Sequence, residues 1–158
     1  MEPKITELNE FKVVGLQTYG NPANGDFASM CGITKGVAIN INKLTNDNEI
    51  YGIETYTEEF RTENKWFYMI GREVSDFSYV PEPMTTMVIP KNTYAVFKYK
   101  GAITPKLGEI VNYIYNVWLP SSGYVHAGPY DFEKYGEDFI DPKNENSIIE
   151  IYIPIKKA

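Results

Sequence analysis

The chain has 158 residues, 43% apolar, 23% charged and 15% aromatic, with 15 Lys and Arg against 21 Asp and Glu for a formal net charge of −6. That length makes one ordinary domain, able to bury a core without a disulfide or metal staple. The single cysteine, Cys31, excludes an internal disulfide and a cysteine-rich zinc site.

An acidic chain with no Lys/Arg cluster is poorly built to neutralise phosphates, so direct nucleic-acid binding is not expected. No apolar run reaches the length of a membrane span, and the polar start MEPKITELNE is no secretory signal. The expected location is therefore cytoplasmic, with no membrane partner.

In chain order, the first strand is expected at Phe11 to Tyr19. The stretch Asp26 to Leu44 is ambiguous: Phe27, Met30, Cys31, Val37, Ile41 and Leu44 fit a helical face, while Gly32 and Gly36 weaken it. Strands follow at Glu49 to Thr57, Lys65 to Val74 and Thr93 to Lys100. The clearest helix runs from Thr104 to Trp118, with Thr104 as cap, Pro105 in the first turn and one stripe of Leu107, Ile110, Val111, Ile114 and Val117. Leu119-Pro120 is expected to end it. Strands at Tyr130 to Tyr135 and Ile148 to Ile155 complete the set, the last with Ile149, Ile151, Ile153 and Ile155 on one face. Pro154 inside that strand points to an edge or a bulge.

The chain repeats itself. IYGIETYTEE (Ile50 to Glu59) aligns with PYDFEKYGED (Pro129 to Asp138), matching Tyr51 to Tyr130, Glu54 to Glu133, Tyr56 to Tyr135 and Glu58 to Glu137. FKVVGLQTYG pairs with YAVFKYKG, and KWFYMIGREV with SIIEIYIPIK. The parallel favours a helix in Asp26 to Leu44. The expected fold class is α+β: two tandem β-α-β-β repeats, about 1–80 and 84–158, related by a pseudo-two-fold axis in one domain over 1–158. Six antiparallel strands would carry both helices on one face and leave the other face open, with a ligand cleft between the repeats.

Thirteen Tyr, eight Phe and two Trp are more than core packing asks for, because a buried hydroxyl needs a partner. Strand alternation assigns the faces. If Ile53, Phe132 and the four Ile residues of the last strand meet the helices, the open face collects Glu54, Glu133, Glu150, Tyr56, Tyr68, Tyr135 and Tyr152, with Asp131 beside them and Trp66 on the same side as Tyr68. Aromatic rings attract cations and a partly buried carboxylate supplies full negative charge, so such a face suits flat lipophilic cations. A solvated antiparallel sheet decorated with Glu and Tyr would show the same pattern.

The segments WLPSSGYVHAGPYDFEKYGEDF, SIIEIYIPIKK, MVIPKNTYAVFKYKG and MIGREV are similar to the GyrI-like effector-binding domains, relatives of the ligand domains of AraC- and MerR-type multidrug regulators. The resemblance covers most of Glu49 to Lys157. It implies the paired-repeat fold with an aromatic cavity between the halves. It also implies that Glu133, in Phe132-Glu133-Lys134-Tyr135, pairs with a cationic ligand, and that Tyr152 and Trp118 are wall residues, with Glu150 also matching. The ligand-binding candidates are thus Glu133, Glu54, Trp66, Tyr68, Trp118, Tyr135, Glu150 and Tyr152.

With no room for a helix-turn-helix, the resemblance implies a stand-alone member that binds a small lipophilic cation. Two alternatives stay open. One is a small-molecule hydrolase using Glu133 as general base, like relatives that open cyclopropane-bearing toxins. The other is an interaction module, like relatives that inhibit gyrase or a domain that partners a regulator. A Cys31–His126 nucleophile pair has no supporting spacing. One His makes a His-rich metal site impossible, Asp141 to Tyr152 lacks the calcium-loop Gly and Glu, and Gly32 to Gly36 lacks the Lys-Ser/Thr of a phosphate loop. No cofactor or metal is expected.

Overall fold

The computed structural model describes residues 1–21, 41, 43–103 and 105–158. The helix expected within Asp26 to Leu44 falls mostly outside them, as do Cys31 and Thr104. Leu44 itself forms an isolated bridge to Val74.

The strands are β1 (Lys4–Leu8), β2 (Phe11–Gly20), β3 (Ile50–Thr55), β4 (Trp66–Val74), β5 (Thr85–Ile89), β6 (Asn92–Lys100), β7 (Tyr124–His126), β8 (Tyr130–Tyr135) and β9 (Ile148–Lys157). A short helix, α1 (Phe60–Glu63), precedes β4. A longer one is built from α2 (Leu107–Tyr113), a π-helical turn (Ile114–Trp118) and α3 (Leu119–Ser121). No helix among the described residues is long and apolar enough to cross a membrane.

All strands join one antiparallel sheet in the order β1-β6-β9-β8-β3-β4-β2-β5, with β7 pairing the far end of β9. The connections force this sheet to curl. Only Asn9 and Glu10 separate β1 from β2, although β1 is at one edge of the sheet and β2 is next to the other. Six strand spacings of a flat sheet measure roughly 29 Å, while so short a link reaches only about 10 Å. Pro90 and Lys91 impose the same condition on β5 and β6. The result is a curled antiparallel half-barrel.

Curling buries both faces, which corrects the expected open one. The concave side holds Val13, Ile53, Met69, Tyr94, Phe132 and Tyr152, with Phe11 packed against them. Phe132 stacks on Tyr152 at 4.6 Å between ring centroids. The convex side of β6 and β9 meets the long helix through Phe97, Ile149, Ile151, Ile153 and Ile155 against Ile110 and Ile114. The Ile face of the last strand is therefore as expected, but Ile53 and Phe132 lie on the opposite side, among the aromatic rings. Among the described residues nine strands stand where six were expected, because β1, β5 and β7 are short and weakly patterned.

Two further expectations are corrected. Pro154 lies in a central strand. Its ladder with β8 ends at Phe132–Tyr152, and β7 takes over at His126–Ile155, so Pro154 sits where the neighbour changes and its missing N–H breaks no ladder on that side. The helix also runs past Leu119-Pro120 to Ser121, since Pro120 occupies the start of α3, where its missing N–H is tolerated. The π turn, closed by Leu119 N–H donating to the Ile114 carbonyl, changes the helical phase. Val117, expected in the buried stripe, is 55% exposed, while Trp118 packs into the core.

Gly15 faces Gly71 across β2 and β4. A Cβ at Gly15 would lie 2.3 Å from the Ile70 carbonyl oxygen and 2.6 Å from the Gly71 Cα. Gly15→Ala is expected to push the strands apart and cost about 1–3 kcal/mol, as overpacking does. A lower urea midpoint at unchanged slope would show it; an unchanged midpoint would refute the close approach.

Candidate functional site

The two inner strands of the sheet, β3 and β8, pair over their full length and set Gly52 opposite Glu133 and Glu54 opposite Asp131. Alternation then projects Glu54, Asp131 and Glu133 from one face. It is the convex face, because Glu133 sits opposite Ile151 of the helix-packed cluster. Tyr68 of β4, opposite Glu54, joins them. Gly52 makes room: a Cβ there would lie 2.5 Å from the Tyr68 hydroxyl and 2.7 Å from Glu133 Oε2.

Asp131 is 3% exposed and collects two hydroxyl donors. Tyr115, inside the π turn, donates to Oδ2 at 2.5 Å, and Tyr56 donates to the same oxygen at 3.1 Å. Tyr56 also lies 3.4 Å from Glu54 Oε2. His126 Nε2 lies 3.0 Å from the Tyr130 carbonyl, to which it can donate, and 3.3 Å from the Tyr115 hydroxyl. Glu133 is 2% exposed, and its Oε2 has no hydrogen-bond partner among the described residues.

Burial pushes the Glu133 carboxyl up to about 8, with the Asp131 charge adding to it. Burial, then the charges of Glu133 and Asp131, raise Glu54 well above the ordinary carboxylate range. Burial and the Asp131 charge also raise Tyr56 and Tyr115, so both remain hydroxyl donors. None of the ion pairs among the described residues involves these three acids.

A cavity of about 920 Å³ opens in front of the two tyrosines, with Phe60, Arg61, Val111 and His126 among its other walls. The acids stand behind the Tyr56–Tyr115 pair. Phe60 lies 4.8 Å from Tyr56, and Trp66 packs edge-on behind Phe60 at 5.5 Å. The site therefore offers aromatic faces, hydroxyls that can shift between acceptors, and negative charge close behind. It can hold a bulky, charge-poor cation and exclude an anion. Among the described residues no metal-ligating cluster of His, Cys, Asp and Glu occurs.

The structure brings Glu54, Glu133 and Tyr68 together, with Trp66 in the layer behind the wall, but on the helix-side face rather than an open one. It separates the remaining candidates. Glu150 and Tyr152 lie on the concave side, where the Tyr152 hydroxyl donates to Glu150 at 2.8 Å and Lys134 pairs with Glu150 at 3.0 Å. Tyr135 packs against Phe139, and Trp118 packs edge-on to Phe97 at 5.0 Å. Neither Trp118 nor Tyr135 lines the cavity. Sequence reasoning missed Tyr115, Phe60 and the wall position of His126. Asp131, two residues before Glu133, is on the same face by alternation, as expected, but was not among the ligand-binding candidates.

The comparisons agree with this architecture. The model of the GyrI-like small molecule binding domain matches residues 1–156. The transcriptional regulator BrlR of Pseudomonas aeruginosa is 31% identical over 158 residues, covering 98% of this chain and 56% of BrlR, so the chain spans little more than half of that relative. Among solved structures, SAV2435 bound to tetraphenylphosphonium superposes with a TM-score of 0.79 at 20% identity, covering 99% of this chain and 94% of that one. EcmrR in a complex with DNA gives 0.73 at 18% identity, covering 99% and 58%. With its whole length matched and its curled sheet shared, the chain belongs to the family of GyrI-like small-molecule-binding domains.

Proposed function

We propose that this domain binds a lipophilic monocation in the 920 Å³ cavity, with Glu54, Asp131 and Glu133 supplying the charge and Tyr56, Phe60 and Tyr115 the wall. One observation carries the reading: three clustered carboxylates, two of them almost fully buried, that no ion pair among the described residues neutralises. Buried charge of one sign is costly until an opposite charge arrives. The tetraphenylphosphonium carried by the SAV2435 structure has the required chemistry and supports the reading.

The domain is read as two tandem β-α-β-β units, about 1–80 and 84–158. The strand order supports this, since β6-β9-β8 on one side of the centre answers β2-β4-β3 on the other. The cavity is then the cleft between the units. The identity to BrlR supports a role as the effector-sensing part of transcriptional regulation, with the DNA-binding function carried by a separate domain or protein.

The test is tryptophan fluorescence titrated with tetraphenylphosphonium and with neutral triphenylphosphine oxide. Trp66 packs behind the wall, and Trp118 packs from the end of the π turn onto Phe97 of β6. Saturable quenching by the cation is expected in the wild type and in Trp118→Phe, and is expected to be lost in Trp66→Phe. Equal binding of the neutral compound would overturn the charge-partner role of the acids.

A further inference from the structure

The three acids do not share their surroundings equally. Asp131 accepts from both Tyr56 and Tyr115, so its negative charge is solvated by two hydroxyls. Glu54 has the longer share of Tyr56 and lies against the Asp131 carboxyl, with which it shares a hydrogen bond, while Glu133 Oε2 has no donor among the described residues. Like charges paired directly across strands repel. The hydrogen bonds therefore leave Glu54 and Glu133 the less solvated acids, and these two are the groups that keep protons in the empty cavity.

On the basis of the binding reading above, we propose that the cavity is a proton–cation exchanger: an entering monocation expels a proton from the Glu54–Asp131–Glu133 cluster. The step balances. A carboxyl O–H bond of Glu133 or Glu54 breaks, the proton passes to solvent, and the cation takes its place as the neutralising charge. The net charge of the occupied site stays as it was when empty. Affinity then becomes a function of pH, and the domain reads proton activity together with ligand concentration.

The groups facing the cluster are consistent with one proton leaving. From β4 comes the Tyr68 hydroxyl, from the π turn Tyr115, from the segment after β3 Tyr56, and from β7 His126. Glu58, before α1, and Arg61 of α1 line the cavity from exposed positions, one of each sign. Burial holds Glu133 at about 8 in the empty site, so at neutral pH it is mostly protonated and has a proton to give. A nearby positive charge favours the carboxylate and lowers that value. Affinity should thus rise with pH through the neutral range, by at most about tenfold per pH unit for one proton, and level off above about pH 8.

The experiment is calorimetric titration of the full chain with tetraphenylphosphonium at pH 7, run in phosphate and in Tris, whose ionisation heats differ. A heat difference corresponding to release of about one proton per ligand is expected, with affinity increasing from pH 6 to pH 8. Triphenylphosphine oxide should release none. Glu133→Gln and Glu54→Gln should each reduce the release and flatten the pH profile. Saturable binding with equal heats in both buffers and pH-independent affinity would overturn the exchange and leave the binding reading standing. No saturable binding at any pH would overturn both. Should one variant fail to fold, the wild-type proton count still decides.

Discussion

Replacing Glu133 with Gln is expected to stabilise the ligand-free protein at neutral and alkaline pH and to flatten the fall of its stability with pH. The folded carboxyl sits at about 8 against an ordinary value of 4.5. As pH rises past 4.5 the unfolded chain gives up this proton first, so the folded state binds more protons. Stability then falls with increasing pH until the folded group also ionises near 8. The slope is at most about 1.4 kcal/mol per pH unit, which makes the penalty roughly 3 kcal/mol at pH 7. Gln is nearly isosteric and carries no charge, so it removes that penalty. Urea midpoints at pH 5, 7 and 8.5 are expected to fall steadily for the wild type and less for Glu133→Gln, with Glu54 supplying the residual slope. The variant should also bind tetraphenylphosphonium at least tenfold more weakly. Gaining stability while losing the ligand is the signature of a strained functional group. Parallel stability profiles for the two proteins would show that Glu133 is not held protonated by the fold.

Much of the fold was legible because alternation and helical spacing are local. The four Ile residues of β9, the stripe Leu107–Ile110–Ile114 and the paired segments around Glu54 and Glu133 all correspond to real elements. The face assignment failed for a physical reason. Placing Ile53 and Phe132 on the helix side presumes that only one face is buried. The curl, dictated by the two-residue links after β1 and β5, buries both, and nothing in the alternation of β8 distinguishes an aromatic interior from a helix-covered exterior. Grouping Glu54, Glu133 and Tyr68 survived the error because relative faces depend only on register. Tyr115 was hidden by the π turn, which shifts the helix phase within a run that reads as ordinary α-helix. Trp118 is a wall residue on the resemblance and Tyr135 on strand alternation, and neither ground shows that these rings pack against Phe97 and Phe139 instead.

That inner aromatic core yields the second large effect, and it separates packing from binding. Phe132 is 1% exposed, stacks on Tyr152, and meets Tyr94, Phe11 and Tyr51 at 5.5, 5.7 and 5.8 Å. Phe132→Ala removes the ring at the centre of this cluster. Both faces of the curled sheet are packed, so the surroundings can collapse only partly, and a loss of about 3–5 kcal/mol is expected. That is a large share of the 5–15 kcal/mol typical of a whole domain. Phe132→Leu keeps most of the volume and should cost much less. Phe132 points away from the carboxylates that flank it in β8, so the folded fraction of either variant should bind tetraphenylphosphonium with wild-type affinity at low temperature. Had Phe132 faced the helices and Glu133 the opposite side, the substitution would reach the Ile110–Ile114 packing instead. A lowered urea midpoint with unchanged cation affinity supports the observed faces. A weakened cation affinity in the still-folded Leu variant would mean that the aromatic interior and the cavity are coupled through β8.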